Sequence, residues 1–86
     1  MYYLYIVRCK DKTLYTGIAT DLERRLGEHN NSRLGAKYTL ARRPVKLVYS
    51  KKFRNRSLAS KEESRTKKLS REEKLKLIKT ANNFAK

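Results

Sequence analysis

The longest apolar run in the chain is Tyr2-Tyr3-Leu4-Tyr5-Ile6-Val7. Six residues fall far short of the roughly 20 needed to cross a bilayer. Their aromatic and β-branched character is that of a β-strand. The run is apolar on both faces, which predicts a central strand. The rest of the 86-residue chain must then be arranged around it. Lys10-Asp11-Lys12 supplies a short polar turn, and Thr13 to Ala19 reads as a second strand, paired with the first as an antiparallel hairpin. Gly17 marks a point on that strand where a backbone or a phosphate can come close.

Helical signals follow. Thr20-Asp21-Leu22-Glu23 forms a capping box with Thr20 at the cap, predicting a helix to His29 that ends at Asn30-Asn31-Ser32. Ala36 to Ala41 predicts a short helical turn, and Pro44 breaks any helix. Val45 to Phe53 alternates as a third strand. Asn55 or Ser57 caps a helix reaching Leu69, and Ser70-Arg71-Glu72-Glu73 is a second capping box opening a last helix with Leu75, Ile78 and Ala81. The predicted class is α+β, a small three-stranded antiparallel sheet flanked by helices in the order β-β-α-(short turn)-β-α-α. Three strands cannot bury both sheet faces unaided, so the helices must cover them. No linker separates domains. The reading is one domain over residues 1–86, with a core of about 2–78 and a tail at 79–86.

Charge narrows the function. Lys and Arg number 23 against 8 Asp and Glu, a net +15. Residues 1–43 hold nine basic and four acidic residues, and residues 44–86 hold fourteen and four, so the excess is not a basic arm. A folded domain this basic implies a polyanionic partner, most commonly nucleic acid, with a membrane surface or an acidic protein as the alternatives. Cys9 is the one cysteine. It has no disulfide partner within the chain, and no Cys/His cluster exists for zinc. A reducing, cytoplasmic compartment fits, with no secretory signal and no membrane span.

On a helical wheel at about 100° per residue, with Leu22 at zero, Leu26 falls at roughly 40°, Arg25 at roughly 300° and His29 at roughly 340°. Arg24 and Glu28 fall on the far side. Arg25 and His29 thus sit one turn apart at the edge of the docking face. In one reading Arg25 lays its stem on the sheet and His29 is a satisfied boundary residue. In the other, Arg25 offers a planar, permanently charged donor fork to a phosphate. The tyrosines leave a similar choice. Tyr5 and Tyr15 lie one on each hairpin strand. They serve as sheet packing, or their phenols converge beside Arg25 to position or deprotonate a water.

Taken together these residues resemble the GIY-YIG nuclease domain, and within it the small stand-alone bacterial YhbQ-like (UPF0213) group. The first motif is Tyr3-Leu4-Tyr5 and the second Tyr15-Thr16-Gly17. The helix Asp21 to Asn30 is similar to the family's arginine helix. Gly35-Ala36-Lys37-Tyr38-Thr39 and Arg42-Arg43-Pro44-Val45 resemble its connecting segment, and Arg56 to Ser70 its glutamate helix. The likeness covers residues 2 to about 78. The first motif lacks its glycine, Thr16 replaces the usual isoleucine, and Ile18 stands where some members have lysine.

The resemblance implies a site of Tyr5, Tyr15, Arg25, His29 and Glu63, with Glu63 ligating one divalent ion, Mg²⁺ or Mn²⁺. The wheel alone does not choose between Glu62 and Glu63. Glu62 falls among the leucines and Glu63 beside Ala59 and Lys67, at a border that suits an ion keeping several waters. Both glutamates are equally compatible with a salt-bridged helix face. The implied activity is phosphodiester hydrolysis in DNA, structure-selective in repair or recombination. The alternative is a non-catalytic binding module, for DNA or RNA, on the same fold. Backbone contacts are expected from Arg33, Lys37, Arg42, Arg43, Lys51, Lys52, Arg54, Lys61, Lys67 and Lys68. No sequence-reading motif is present, so selection of a target is left to nucleic-acid structure or to a targeting partner protein.

Overall fold

The computed structural model describes residues 1–31 and 37–85, with side chains over 1–31 and 39–80. Strand β1 (Tyr2–Arg8) lies between β2 (Leu14–Ala19) and β3 (Lys46–Phe53), antiparallel to both. Its central place follows from its sequence. Leu4, Tyr5, Ile6 and Val7 are at most 3% exposed, and only a strand with two neighbours and two covered faces can bury four consecutive side chains. A bulge between Ile6 and Val7 adjusts the pairing with β3.

The hairpin turn explains why β2 begins at Leu14 and not at Thr13. The Cys9 N–H donates to the Thr13 carbonyl and the Lys12 N–H to the Cys9 carbonyl. Asp11 Oδ1 accepts from both the Thr13 N–H and its hydroxyl, at 3.1 and 2.6 Å. Lys12 takes the left-handed φ of 71° that the turn requires. Thr13 is thus spent on closing the turn.

Side chains alternate across the sheet. Tyr5, Val7, Cys9 and Val45 form one core with Tyr15, Ala19, Leu22 and Leu26. Helix α1 (Leu22–Asn31) supplies its cover. On the opposite side, Leu4 meets α3 (Arg56–Lys67) and α4 (Arg71–Ala85), sharing a cleft of about 230 Å³ with Tyr49, Glu62, Thr66 and Leu77. A four-residue helix, α2 (Lys37–Leu40), precedes β3.

Several boundaries differ from expectation. The cap of α1 is Asp21, not Thr20. Its Oδ1 accepts the Arg24 N–H at 3.1 Å, and a carboxylate there also complements the helix dipole. The helix continues through Asn31 because its end is held from outside. Arg43 donates from Nε to the His29 carbonyl and from Nη2 to the Glu28 carbonyl, satisfying two terminal acceptors. Asn30 lies inside the helix and clips the chain before β3. Its Nδ2 donates to the Val45 carbonyl at 3.0 Å, and its Oδ1 accepts the Val45 N–H at 2.6 Å.

Helix α3 starts with Asn55 as its cap, whose side chain accepts the Leu58 N–H. It stops at Lys67 because the Lys68 N–H turns back to Arg65 and Thr66. The second capping box forms as expected. The Ser70 N–H donates to Glu73 Oε1 and the Glu73 N–H to Ser70 Oγ. Backbone helicity then runs on through Ala85, across the segment assigned to a tail.

Candidate active site

The site is built on the α1 side of the hairpin. Tyr5 and Gly17 face each other across β1 and β2. A Cβ on Gly17 would lie 2.6 Å from the Tyr5 hydroxyl and 2.8 Å from its Cζ. The close approach expected at Gly17 is therefore that of the Tyr5 ring itself, not of a backbone or a phosphate. Absence of a side chain at this position lets the phenol lie along the sheet toward α1.

There Tyr5 Oη lies 2.8 Å from His29 Nε2. His29 Nδ1 lies 2.8 Å from Thr39 Oγ1. Arg25 hydrogen-bonds the same Tyr5 hydroxyl. A guanidinium only donates, so the Tyr5 oxygen accepts from Arg25. The phenol proton then goes to Nε2, which leaves the imidazole proton on Nδ1, donated to Thr39. This assignment gives both the phenol proton and the imidazole proton an acceptor. Tyr15 closes the far side, its ring edge-on to His29 at 5.4 Å between centroids.

Electrostatics follow from burial. His29 is fully buried. Loss of solvation, reinforced by the Arg25 charge, pulls its pKa from 6.5 to about 4, so the ring is neutral at physiological pH. Burial pushes the Tyr5 phenol above its usual range, against the pull of Arg25, and the Glu63 carboxylate adds to the rise. At rest Tyr5 is thus a protonated phenol and His29 a neutral imidazole.

Arg25 is half-buried, and Nη1 lies 2.9 Å from Glu28 Oε1. Glu28 leaves α1 on the side the wheel gives it, beside Arg24, but its carboxylate does not stay there. At i+3 its side chain reaches back along the helix to the guanidinium, and a second, looser pair joins it to Arg24 at 3.9 Å. Glu28 and Thr39 are the two polar residues of the site that sequence reasoning passed over. The three-residue spacing from Arg25 was a signal for Glu28. Thr39 carries none, because it comes to His29 from another helix.

The two glutamates of α3 point to different surroundings. Glu62 pairs with Arg65 in the cleft beside Leu4 and Tyr49. Glu63 pairs with Lys67 at 3.5 Å, and its charge bears on Tyr5. Among the described residues no three His, Cys, Asp or Glu side chains gather into a metal cage. Glu63, half-buried, would offer a single carboxylate to an ion. That fits Mg²⁺, which keeps most of its waters and needs few protein ligands.

The expected backbone-binding residues scatter. Lys52, Arg54, Lys61 and Lys68 are exposed. Lys51 lies over the Phe53 ring at 5.5 Å, and Lys67 is shared with Glu63. Arg42 pairs with Asp11 at 3.0 Å, tying the hairpin turn to the segment after α2. Arg43 is engaged by the α1 carbonyls. Arg33 and the Lys37 side chain lie outside the described residues. No helix among the described residues is long and apolar enough to cross a membrane.

The chain is similar to known proteins over most of its length. A model of the GIY-YIG catalytic domain matches residues 1–76. A UPF0213 protein of Staphylococcus saprophyticus is 56% identical over 77 residues, covering 90% of this chain and 93% of that protein. One from Syntrophus aciditrophicus is 54% identical over 77 residues, covering 90% and 88%. Among solved structures, a solution structure of a UPF0213 protein from Bacillus halodurans superposes with a TM-score of 0.60 at 42% identity, over 93% of this chain and 85% of that one. A protein from E. faecalis gives a TM-score of 0.64 at 47% identity, over 94% and 85%. With a three-stranded sheet that sets two motif tyrosines beside a helical arginine and histidine, and with a family match spanning nearly the whole chain, the protein belongs to the GIY-YIG catalytic domain family.

Proposed function

We propose that the protein is a divalent-metal-dependent endonuclease that hydrolyses phosphodiester bonds in DNA. The observation that carries this reading is the Tyr5 hydroxyl, held at 2.8 Å from a neutral, buried His29 while Arg25 donates to the same oxygen. A phenol used only for packing does not need a permanently charged donor on one side and a proton acceptor on the other.

In this scheme Tyr5 and His29 act as a unit. The attacking water gives its proton to the Tyr5 oxygen as the phenol proton moves to His29 Nε2. Thr39, accepting from Nδ1, keeps the ring in the tautomer that leaves Nε2 open. Arg25 holds its fork against the phosphate and stabilises charge building on the non-bridging oxygens. Tyr15 restricts His29 to one ring orientation and flanks the phosphate. Glu63 would hold the ion, one Mg²⁺ or Mn²⁺, which when bound neutralises charge on the phosphate and on the leaving oxygen. With so few groups, positioning supplies much of the rate.

Binding is mainly electrostatic, from the net +15. DNA as the target, a role at branched structures in repair or recombination, help from a targeting partner and a cytoplasmic location all extend this same reading. The test is nicking of supercoiled plasmid, and cutting of branched and single-stranded oligonucleotides, at low salt with Mg²⁺ or Mn²⁺. Wild type cuts, and identically purified Glu63→Ala does not. Equal cutting by both would overturn the assignment. Salt-sensitive binding without cutting by either would mark a binding module.

A further inference from the structure

A second feature adjoins Arg25 and is not used by the chemistry above. An open cleft of about 290 Å³ runs between the ends of β1 and β2, the start of α1 and the start of α3. Its walls include Tyr2, Ile18, Arg24, Arg25, Glu28 and Arg56. Tyr2 and Ile18 give it an apolar side, and both are half-buried. Arg24 and Arg56 stand at the edges, exposed. Arg56 makes no ion pair or hydrogen bond among the described residues. It is the first residue of α3, whose first turn holds no acid. A cation there works against the helix dipole, so helix formation does not account for it.

We infer that this cleft is a subsite for one unpaired nucleotide next to the phosphate held by Arg25. The inference rests on the nucleic-acid reading above and deepens it. The base lies against the Tyr2 ring and Ile18, and the following phosphate meets Arg56, with Arg24 on the opposite edge. A base inside a duplex is stacked on both sides and cannot enter, so the strand must be single or frayed at this point. Arg25 belongs to the wall of this cleft and also donates to Tyr5, which sets the bound nucleotide and the cut phosphate next to one another. Sequence preference is absent, because a ring face stacks with any base.

The test is equilibrium binding without divalent metal, so it does not depend on cleavage. The probes are a short labelled oligothymidylate and an abasic strand of the same length. Wild type binds the base-bearing strand about tenfold more tightly, the size of one base–aromatic stack. Tyr2→Ala loses that preference and Tyr2→Phe keeps it. Arg56→Ala reduces the slope of log K against log salt by about 0.7, one single-strand phosphate, whereas Lys76→Ala, on the exposed side of α4, keeps the base preference intact. Thymidine 5′-monophosphate shifts the amide resonances of Ala19, Thr20 and Arg56 in wild type. Equal affinity of wild type for both strands, or equal base preference in wild type and Tyr2→Ala, would overturn the subsite while leaving the nuclease reading untouched. Absence of cutting with the base preference intact would do the reverse.

Discussion

Tyr5 Oη and His29 Nε2 lie 2.8 Å apart, although 24 residues separate them in the chain. The pair joins the middle strand to α1 through a hydrogen bond that neither element makes alone. It also fixes what each group is at neutral pH. The imidazole is neutral because it is buried near two guanidinium groups, and the phenol is protonated because it is buried.

Stability should therefore depend on pH through His29. The folded protein holds the neutral ring, with a pKa of about 4 against 6.5 when unfolded. Between these values the unfolded chain binds the extra proton. The His29 contribution is thus complete above pH 6.5 and is lost as pH falls toward 4, up to about 3 kcal/mol in all. Thermal melts of wild type and His29→Gln from pH 4 to 8 check this. The gap between the two proteins should close at the acid end.

Gly17→Ala should destabilise by about 2 kcal/mol, because the added carbon meets a phenol that cannot swing aside without leaving His29. Chemical denaturation measures the loss. The proposed nuclease activity should fall further than stability, since the displaced group is Tyr5 itself. A Gly17→Ala protein with wild-type stability and activity would show that the Tyr5 ring is not held where the structure puts it.

Glu28→Gln tests what the carboxylate does for Arg25. The 2.9 Å ion pair holds one arm of the guanidinium. Without it the fork is less oriented, so kcat should fall about tenfold. Affinity for an oligonucleotide should hold or improve, because one negative charge near the phosphate is removed. Single-turnover cleavage and binding titrations separate the two effects. A weakened affinity with unchanged kcat would contradict the positioning role.

Asn30→Ala removes both hydrogen bonds to Val45. Two partly buried bonds to a backbone that keeps its polar groups should cost about 2 kcal/mol. In a domain of this size that lowers Tm by about 10 °C. Asn30→Asp should be nearly as damaging, because its carboxylate cannot donate to the Val45 carbonyl. Calorimetry on both variants reads the result.

Much of this architecture was legible in the residues. A run apolar on both faces, Tyr2 to Val7, predicted a central strand, and β1 is the middle strand of the sheet. The Ser70–Glu73 box opened its helix as written, because both partners of a capping box lie within one turn. The Arg25–His29 spacing put both residues on the docking face. Such features are local, fixed by backbone periodicity and by hydrogen bonds between near neighbours. What stayed hidden was long-range. Thr20 and Asp21 are both good caps, and only the packed position of α1 chose Asp21. A wheel gives directions but not reach, so it missed Glu28 folding back to Arg25. Gly17 announced a close approach, but the ring that fills it comes from the neighbouring strand. Thr39 reaches His29 from a separate helix, and Arg43 reaches the end of α1 from the segment before β3. The sequence by itself determined the elements and their order, since periodicity and caps are properties of neighbours along the chain. Tertiary packing alone decided which polar groups meet in the interior, because a buried hydrogen bond is set by where two elements come to rest against each other.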